Sequence, residues 1–234
     1  MRLRDRVGLS EAAQHRLTWL TEVGLVAILG VGLYLGHTGV VVNAGIALLV
    51  AQLPPILERD YNIPMDVGLT LWITGAVFLH AVGTVPLPAE VVDLVGTAPA
   101  GERYATLYRS GDWWDHLTHA LSASVVAAVG YATARALDEH VDSVHLPAEF
   151  MFVYILMFVL AFGVFWEVVE FVIGEVAVLF GMGSVLTQYG LGDTMKDLMF
   201  NTLGGVIVAL WGTAYLTAVA DAIGRRFAGR SESG

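Results

Sequence analysis

Four carboxylates lie in or beside apolar segments of membrane length in the second half of this chain. Glu167 and Glu170 are three residues apart, and Asp193 and Asp197 are four apart, so on helices each pair occupies one face. A charge near the centre of a bilayer costs roughly 2.5 to 3.5 kcal/mol on insertion scales, so such residues usually face a bundle interior and mark a functional site. The spacing therefore predicts that each pair acts on a single target.

Glycines separate the two acidic pairs and indicate how the pairs meet. They predict a turn that returns the second helix beside the first, which would bring the four carboxylates together. These glycines are Gly181, Gly183, Gly190 and Gly192. A further pair, Gly204 and Gly205, follows Asn201 and predicts close approach of helices rather than cofactor binding.

Imidazoles and one more carboxylate extend this set. Asp115 and His119 are four residues apart on one helix face, and His80 lies in an earlier apolar segment. The chain has no cysteine, so any metal must bind through oxygen or imidazole. Carboxylates with imidazoles are the ligands of many Fe, Mn and Zn centres. The sequence therefore predicts a site for a divalent metal (Zn, Mn or Fe), with the ligands His80, Asp115, His119, Glu167, Glu170, Asp193 and Asp197.

The scarcity of internal cations supports a metal. Several carboxylates in a poorly hydrated cluster cannot all ionise unless a positive charge is present. Lys196 is the only lysine, and four-residue helical spacing leads from it to Phe200 rather than to the acidic face. Arg109 is the one arginine expected to reach the rim of the cluster. The remaining choice is between shared protons and a bound cation, and the imidazoles favour the cation.

The composition is that of an integral membrane protein. Hydrophobic residues make up 56% of the 234 residues, charged residues only 15%, and the mean hydropathy is +0.67. The first apolar run has no separate cleavage pattern and is expected to be a retained span. The net charge of −10 argues against a nucleic-acid partner, because no basic face is available for phosphates.

Six apolar runs predict an all-α, polytopic transmembrane helical bundle of about six spans. The runs cover approximately 17–36, 38–56, 65–85, 112–136, 147–180 and 194–223. Residues 1–16 would form an N-terminal arm, 17–223 a single transmembrane domain, and 224–234 a C-terminal tail. The segment from Pro86 to Gly111 is too polar to cross a bilayer and is expected to form an interfacial loop or short helix.

The distribution of basic residues predicts that both termini are cytoplasmic. Nine arginines fall on the side of the termini: Arg2, Arg4, Arg6, Arg16, Arg59, Arg135, Arg225, Arg226 and Arg230. Three basic residues fall on the other side: Arg103, Arg109 and Lys196. With this orientation, a rise of about 1.5 Å per residue puts all the candidate ligands in the outer half of the cell membrane.

Four short motifs occur in a fixed order along residues 70 to 210. They are His-x-x-Gly, Asp-x-x-x-His, Glu-x-x-Glu and Asp-Thr-x-x-Asp, at His80 to Gly83, Asp115 to His119, Glu167 to Glu170, and Asp193 to Asp197. In this combination the chain resembles the YjdF-like family of small bacterial and archaeal inner-membrane proteins. The resemblance implies a multi-pass architecture and a shared site, but no particular reaction.

Three functions are compatible with this set of residues. The first is a divalent-metal site, with or without an enzyme activity in which metal-bound water attacks a lipid head-group ester or phosphate; a hydrolase or an oxidoreductase would fit. The second is a cation or proton transporter, although the polar groups cluster in one half of the membrane. The third is a structural or accessory role in which polar groups fasten helices together. Membrane lipid is the expected partner, and the sequence is compatible with a homo-oligomer.

Overall fold

A computed structural model describes residues 10–181, 190–211 and 213–231, and the described chain is almost entirely helical. The nine helices of these residues are α1 (Glu11–Leu35), α2 (Thr38–Ala51), α3 (Leu53–Tyr61), α4 (Val67–Gly83), α5 (Ala89–Val92), α6 (Asp112–His140), α7 (Ala148–Leu179), α8 (Leu191–Trp211) and α9 (Thr213–Ser231). The predicted all-α class is confirmed. Residues 1–9 of the predicted arm and residues 182–189 of the predicted turn lie outside the described chain.

Four helical stretches are long and apolar enough to cross a membrane. They are Glu11–Leu35, Thr38–Tyr61, Trp113–His140 and Glu149–Leu179. A fifth span arises only if Leu191–Trp211 and Leu216–Arg225, which are bent by 83° relative to each other, count as one. The apolar helix α4, at 17 residues, falls just short. The six predicted runs are thus largely helical where the structure describes them, but the second contains two helices, α2 and α3, and the sixth contains α8 and α9.

Local sequence signals explain where several helices begin and end. Ser10 caps α1, with its hydroxyl accepting from the Ala13 amide at 3.2 Å, and Asp66 caps α4 by accepting from Leu69 at 2.9 Å. Helix α1 ends at Gly36, whose φ of 63° is the left-handed conformation that glycine adopts at low cost. These caps fix both ends of α1 and the start of α4, the helix that carries His80.

Helix α6 lies at the centre of the bundle and contacts α4, α7, α8 and α9. A Cβ atom built on Gly204 of α8 would overlap the carbonyl oxygen of Ala120 in α6, so these two backbones touch. On the adjacent side of α8, a Cβ on Gly205 would lie 3.3 Å from Val159 of α7. The Gly204-Gly205 pair therefore lets α8 pack closely against two neighbours, as its sequence predicts.

The connection between α4 and α6 is compact and does not cross the bundle. Two short strands, β1 (Leu87–Pro88) and β2 (Tyr104–Ala105), pair in an antiparallel manner around α5. A 3₁₀ turn over Leu107–Arg109 then leads into α6. The short helix was expected in this segment, whereas the strand pairing has no clear sequence signal. The connection brings Tyr108 against the ends of α4 and α6.

Candidate metal centre

Three candidate ligands meet where the first two turns of α6 face α8. His119 Nε2 lies 3.5 Å from Asp115 Oδ1 on its own helix and 3.8 Å from Asp197 Oδ1 on α8. One donor atom from each of these residues lies within 4.8 Å of the other two. The four-residue spacing of Asp115 and His119 aligns their side chains, and the close contact of α6 with α8 brings in Asp197. A single ion could contact all three donors.

Asn201 fixes the orientation of the His119 ring. Its Oδ1 lies 3.3 Å from His119 Nδ1, on the side of the ring opposite to the two carboxylates. When Nδ1–H donates to Asn201, the lone pair of Nε2 points toward Asp115 and Asp197, which is the tautomer that a metal requires. Sequence reasoning assigned Asn201 no part in the site. Its position four residues after Asp197, on the same face of α8, is the signal that identifies it.

Asp197 is buried more deeply than any other acidic side chain that the structure describes. It is 2% exposed, and its Oδ1 has no hydrogen-bond partner among the residues that the structure describes. A buried carboxylate oxygen that lacks a donor is costly, because it has given up its water without receiving a replacement. A cation placed between Asp197 and the His119 imidazole would supply the missing interaction.

The Glu-x-x-Glu pair of α7 lies beside this group. Glu167 is 4% exposed and Glu170 9%, whereas the phenylalanines on either side of the pair, Phe165 and Phe171, are exposed. The carboxylate of Asp197 interacts electrostatically with those of Glu167 and Glu170. The buried face of α7 thus adds negative charge around the three candidate ligands.

Asp193 occupies the first turn of α8 and is half-buried. It interacts electrostatically with His119 and Asp197, so it also belongs to the charged surroundings. Within the described chain, however, only Asp115, His119 and Asp197 form a group of three or more donors close enough for one ion. The seven residues predicted from the sequence therefore divide into a central group of three, three neighbouring carboxylates, and His80.

His80 points its two ring nitrogens to other partners. Its Nε2 lies 3.1 Å from Asn43 Oδ1 on α2, and its Nδ1 lies 2.7 Å from the hydroxyl of Tyr108. The imidazole interacts electrostatically with His119 but does not join the central group. His80 is therefore adjacent to the candidate centre, with both nitrogens engaged in hydrogen bonds.

Arg109 does not reach the carboxylate cluster. Its guanidinium forms two hydrogen bonds to Glu102, at 2.7 and 3.0 Å, on the exposed surface of the connection. The expectation that Arg109 reaches the rim was wrong, because a nearby carboxylate offers bidentate pairing in water. Lys196 is exposed, on a different side of α8 from Asp197.

These features define a multi-pass helical membrane protein with a buried imidazole and carboxylate group between α6 and α8. The chain belongs to the family described as "Predicted membrane protein (DUF2238)", whose sequence profile matches residues 16–218. This is the YjdF family, so the resemblance seen in the four motifs is confirmed. No curated protein and no solved structure matches the chain.

Proposed function

We propose that this protein binds a divalent transition metal through Asp115, His119 and Asp197. The observation that carries the proposal is the setting of His119: Asn201 holds one ring nitrogen, and the other faces two carboxylates, one of which has a buried oxygen without a hydrogen bond. Metal-binding histidines commonly have such an outer partner, which fixes the tautomer and the ring orientation. A group serving only to fasten helices has no need of an unsatisfied oxygen.

The donor set favours Zn, Mn or Fe. One imidazole and two carboxylates form a mixed nitrogen and oxygen site without sulfur, which suits these metals better than Cu(I) or an iron–sulfur cluster. Three protein ligands also leave coordination positions open for water or substrate, as in catalytic metal sites. Glu167, Glu170 and Asp193 remain proposed contributors, as additional ligands or as acid–base groups beside the centre.

We further propose that the open positions serve chemistry on membrane lipid. Asp115 and Asp197 lie near the N-terminal ends of α6 and α8, and the exposed Trp113 at the start of α6 is the kind of side chain that marks a membrane interface. A divalent metal at this level would activate water for attack on a lipid head-group ester or phosphate. On the predicted orientation, the lipid would belong to the outer leaflet.

The alternative is a structural role. A protonated His119 could pair with Asp115 and Asp197 and fasten α6 to α8 without any metal. The two functions differ in what chelation and substitution do. A structural ion pair is indifferent to a chelator, whereas a metal centre loses its metal and the stability that binding provides.

Elemental analysis of protein purified in detergent without chelator tests the proposal. Wild type should contain about one metal per chain, and His119→Gln and Asp197→Asn should contain much less. Asp60→Asn is the matched control, because Asp60 is an exposed aspartate of α3 paired with Arg59. Chelation should lower the melting temperature of wild type, and Zn, Mn or Fe should restore it. Metal-free wild type that does not respond to a chelator would favour the structural role.

A further inference from the structure

Tyr108 is held beside the start of α6 by the His-x-x-Gly motif of α4. Its hydroxyl lies 2.7 Å from His80 Nδ1, and the two rings pack edge to face with centroids 5.6 Å apart. A Cβ built on Gly83 would lie 2.5 Å from Tyr108 Cε2 and 2.5 Å from Trp114 Nε1. His80 and Gly83 are three residues apart on one helix face, so the motif provides both a partner for the hydroxyl and room for the ring.

The hydrogen bonds around His80 determine which atom carries each proton. Asn43 donates through Nδ2 to the carbonyl of Gly39 at 2.8 Å, so its Oδ1 is the atom facing His80. His80 Nε2–H therefore donates to Asn43, and Nδ1 is left as an acceptor. Tyr108 donates its only hydroxyl proton to that nitrogen. The lone pairs of the Tyr108 oxygen remain available to accept hydrogen bonds.

The Tyr108 hydroxyl lies on the side of the connection that faces the centre. It is 3.3 Å from Thr118 Oγ1, which donates to the carbonyl of Asp115 at 2.9 Å. The Tyr108 side chain also interacts electrostatically with Asp115, Glu170 and Asp197. Burial raises the pKa of its phenol far above the usual range, so the side chain stays neutral at physiological pH.

We propose that Tyr108, positioned by His80 and Gly83, accepts a hydrogen bond from a protic ligand, such as water, bound at the Asp115, His119 and Asp197 centre. This inference rests on the proposed metal function. Donation of the Tyr108 proton to His80 strengthens the oxygen as an acceptor, because linked hydrogen bonds polarise one another. Tyr108 is then the residue that contacts the bound ligand, and His80 and Gly83 are positioning residues.

Azide binding to the Co²⁺-loaded protein tests this assignment. Azide has no proton to donate, so it competes with the protic ligand without gaining the hydrogen bond to Tyr108. Tyr108→Phe should destabilise the protic ligand and lower the azide dissociation constant about three- to tenfold, the range expected for one hydrogen bond. The change is followed in the visible absorption of Co²⁺, and the affinity for Co²⁺ itself should stay within about twofold of wild type.

Two positioning variants and two controls complete the experiment. Gly83→Ala should also lower the azide dissociation constant, because it displaces the Tyr108 ring. His80→Leu should lower it because it removes the acceptor of the Tyr108 proton. His80→Asn restores an acceptor near the position of Nδ1 and should return azide binding toward wild type. Tyr104→Phe, on the exposed strand of the same connection, and Tyr131→Phe, buried further along α6, should change nothing.

The outcomes separate this inference from the proposed function. Tighter azide binding in Tyr108→Phe and Gly83→Ala, with both controls unchanged, supports the assignment. Unchanged or weaker azide binding in Tyr108→Phe, in protein that still binds Co²⁺, overturns it and leaves the metal centre standing. Wild type that binds no Co²⁺ overturns the metal function and this inference with it.

Discussion

Asn201 of α8 contacts His119 of α6 across the interface between these two helices, with Oδ1 at 3.3 Å from Nδ1. One helical turn further along, the backbone of α8 touches that of α6 at Gly204 and Ala120. The tight backbone contact and the oriented imidazole are therefore neighbours in the same interface. Substitutions on α8 can test whether this interface exists to hold a metal ligand.

Asn201→Ala should weaken metal binding while leaving the ligands themselves intact. Loss of a partner that orients a histidine typically lowers metal affinity 10- to 100-fold, on the order of 1.4 to 2.7 kcal/mol. Competition between the protein and a metal indicator dye measures the change. Thr202→Val is the control, because the Thr202 hydroxyl donates to the Leu198 carbonyl of its own helix. Equal affinities in wild type and Asn201→Ala would leave Asn201 a packing residue.

Asp197→Asn should separate the effect of the buried carboxylate on stability from the effect of metal binding. In metal-free protein the substitution removes a buried charge whose oxygen has no hydrogen bond, so the melting temperature should stay level or rise. With metal at about 100 times its dissociation constant, wild type should gain roughly 2.7 kcal/mol that the variant does not. Thermal unfolding with and without metal measures both effects. A variant much less stable than metal-free wild type would indicate that the carboxylate itself fastens the helices.

Gly204→Ala should disrupt the approach of α8 to α6. The new methyl group would overlap the Ala120 carbonyl, which is backbone and cannot rotate away. Overpacking of this kind costs typically 1 to 3 kcal/mol, and the shift of α8 should also lower metal affinity by moving Asp197 and Asn201. Gly75→Ala is the matched control, since nothing lies within 4 Å of a Cβ on that helical glycine. It should be neutral or slightly stabilising.

Helices and side-chain faces were predictable because they depend on short spacings. Apolar runs of about 20 residues marked the membrane helices, and the four-residue spacing of Asp115 and His119 predicted their shared face. The bend between α8 and α9 was not predictable, because the two segments together are apolar enough to count as one span. Periodicity and hydropathy describe one segment at a time, so they do not give the angle between two consecutive helices.

Which of the predicted ligands would meet was harder to predict. Residue type and estimated depth in the membrane grouped His80 with the metal ligands, but its partners, Asn43 and Tyr108, lie 37 and 28 residues away in the chain. Tyr108 lies in a connection whose strand pairing and 3₁₀ turn have no strong signal, so its approach to His80 could not be predicted. Contacts between helices depend on packing distances, and those are set by residues such as Gly83 and Gly204.

The orientation of the chain in the membrane remains a prediction that labelling can decide. Nine basic residues lie on the side of the termini and three on the other side. The positive-inside effect counts Lys and Arg, whereas Asp and Glu contribute little. Arg135 therefore counts toward the cytoplasmic side although it pairs with Asp138 at 3.1 Å. The chain has no cysteine, so a single introduced cysteine reports its own position without interference.

Ala100 and Ser143 are suitable labelling positions, because both are exposed in connections on opposite sides of the predicted bundle. In intact cells, a membrane-impermeant maleimide should label Ala100→Cys and not Ser143→Cys. After lysis both should react equally, which controls for intrinsic reactivity. The reverse pattern would put the ends of α6 and α8 that carry Asp115 and Asp197 on the cytoplasmic side. The proposed chemistry would then act on lipid of the inner leaflet, while the geometry of the centre would be unchanged.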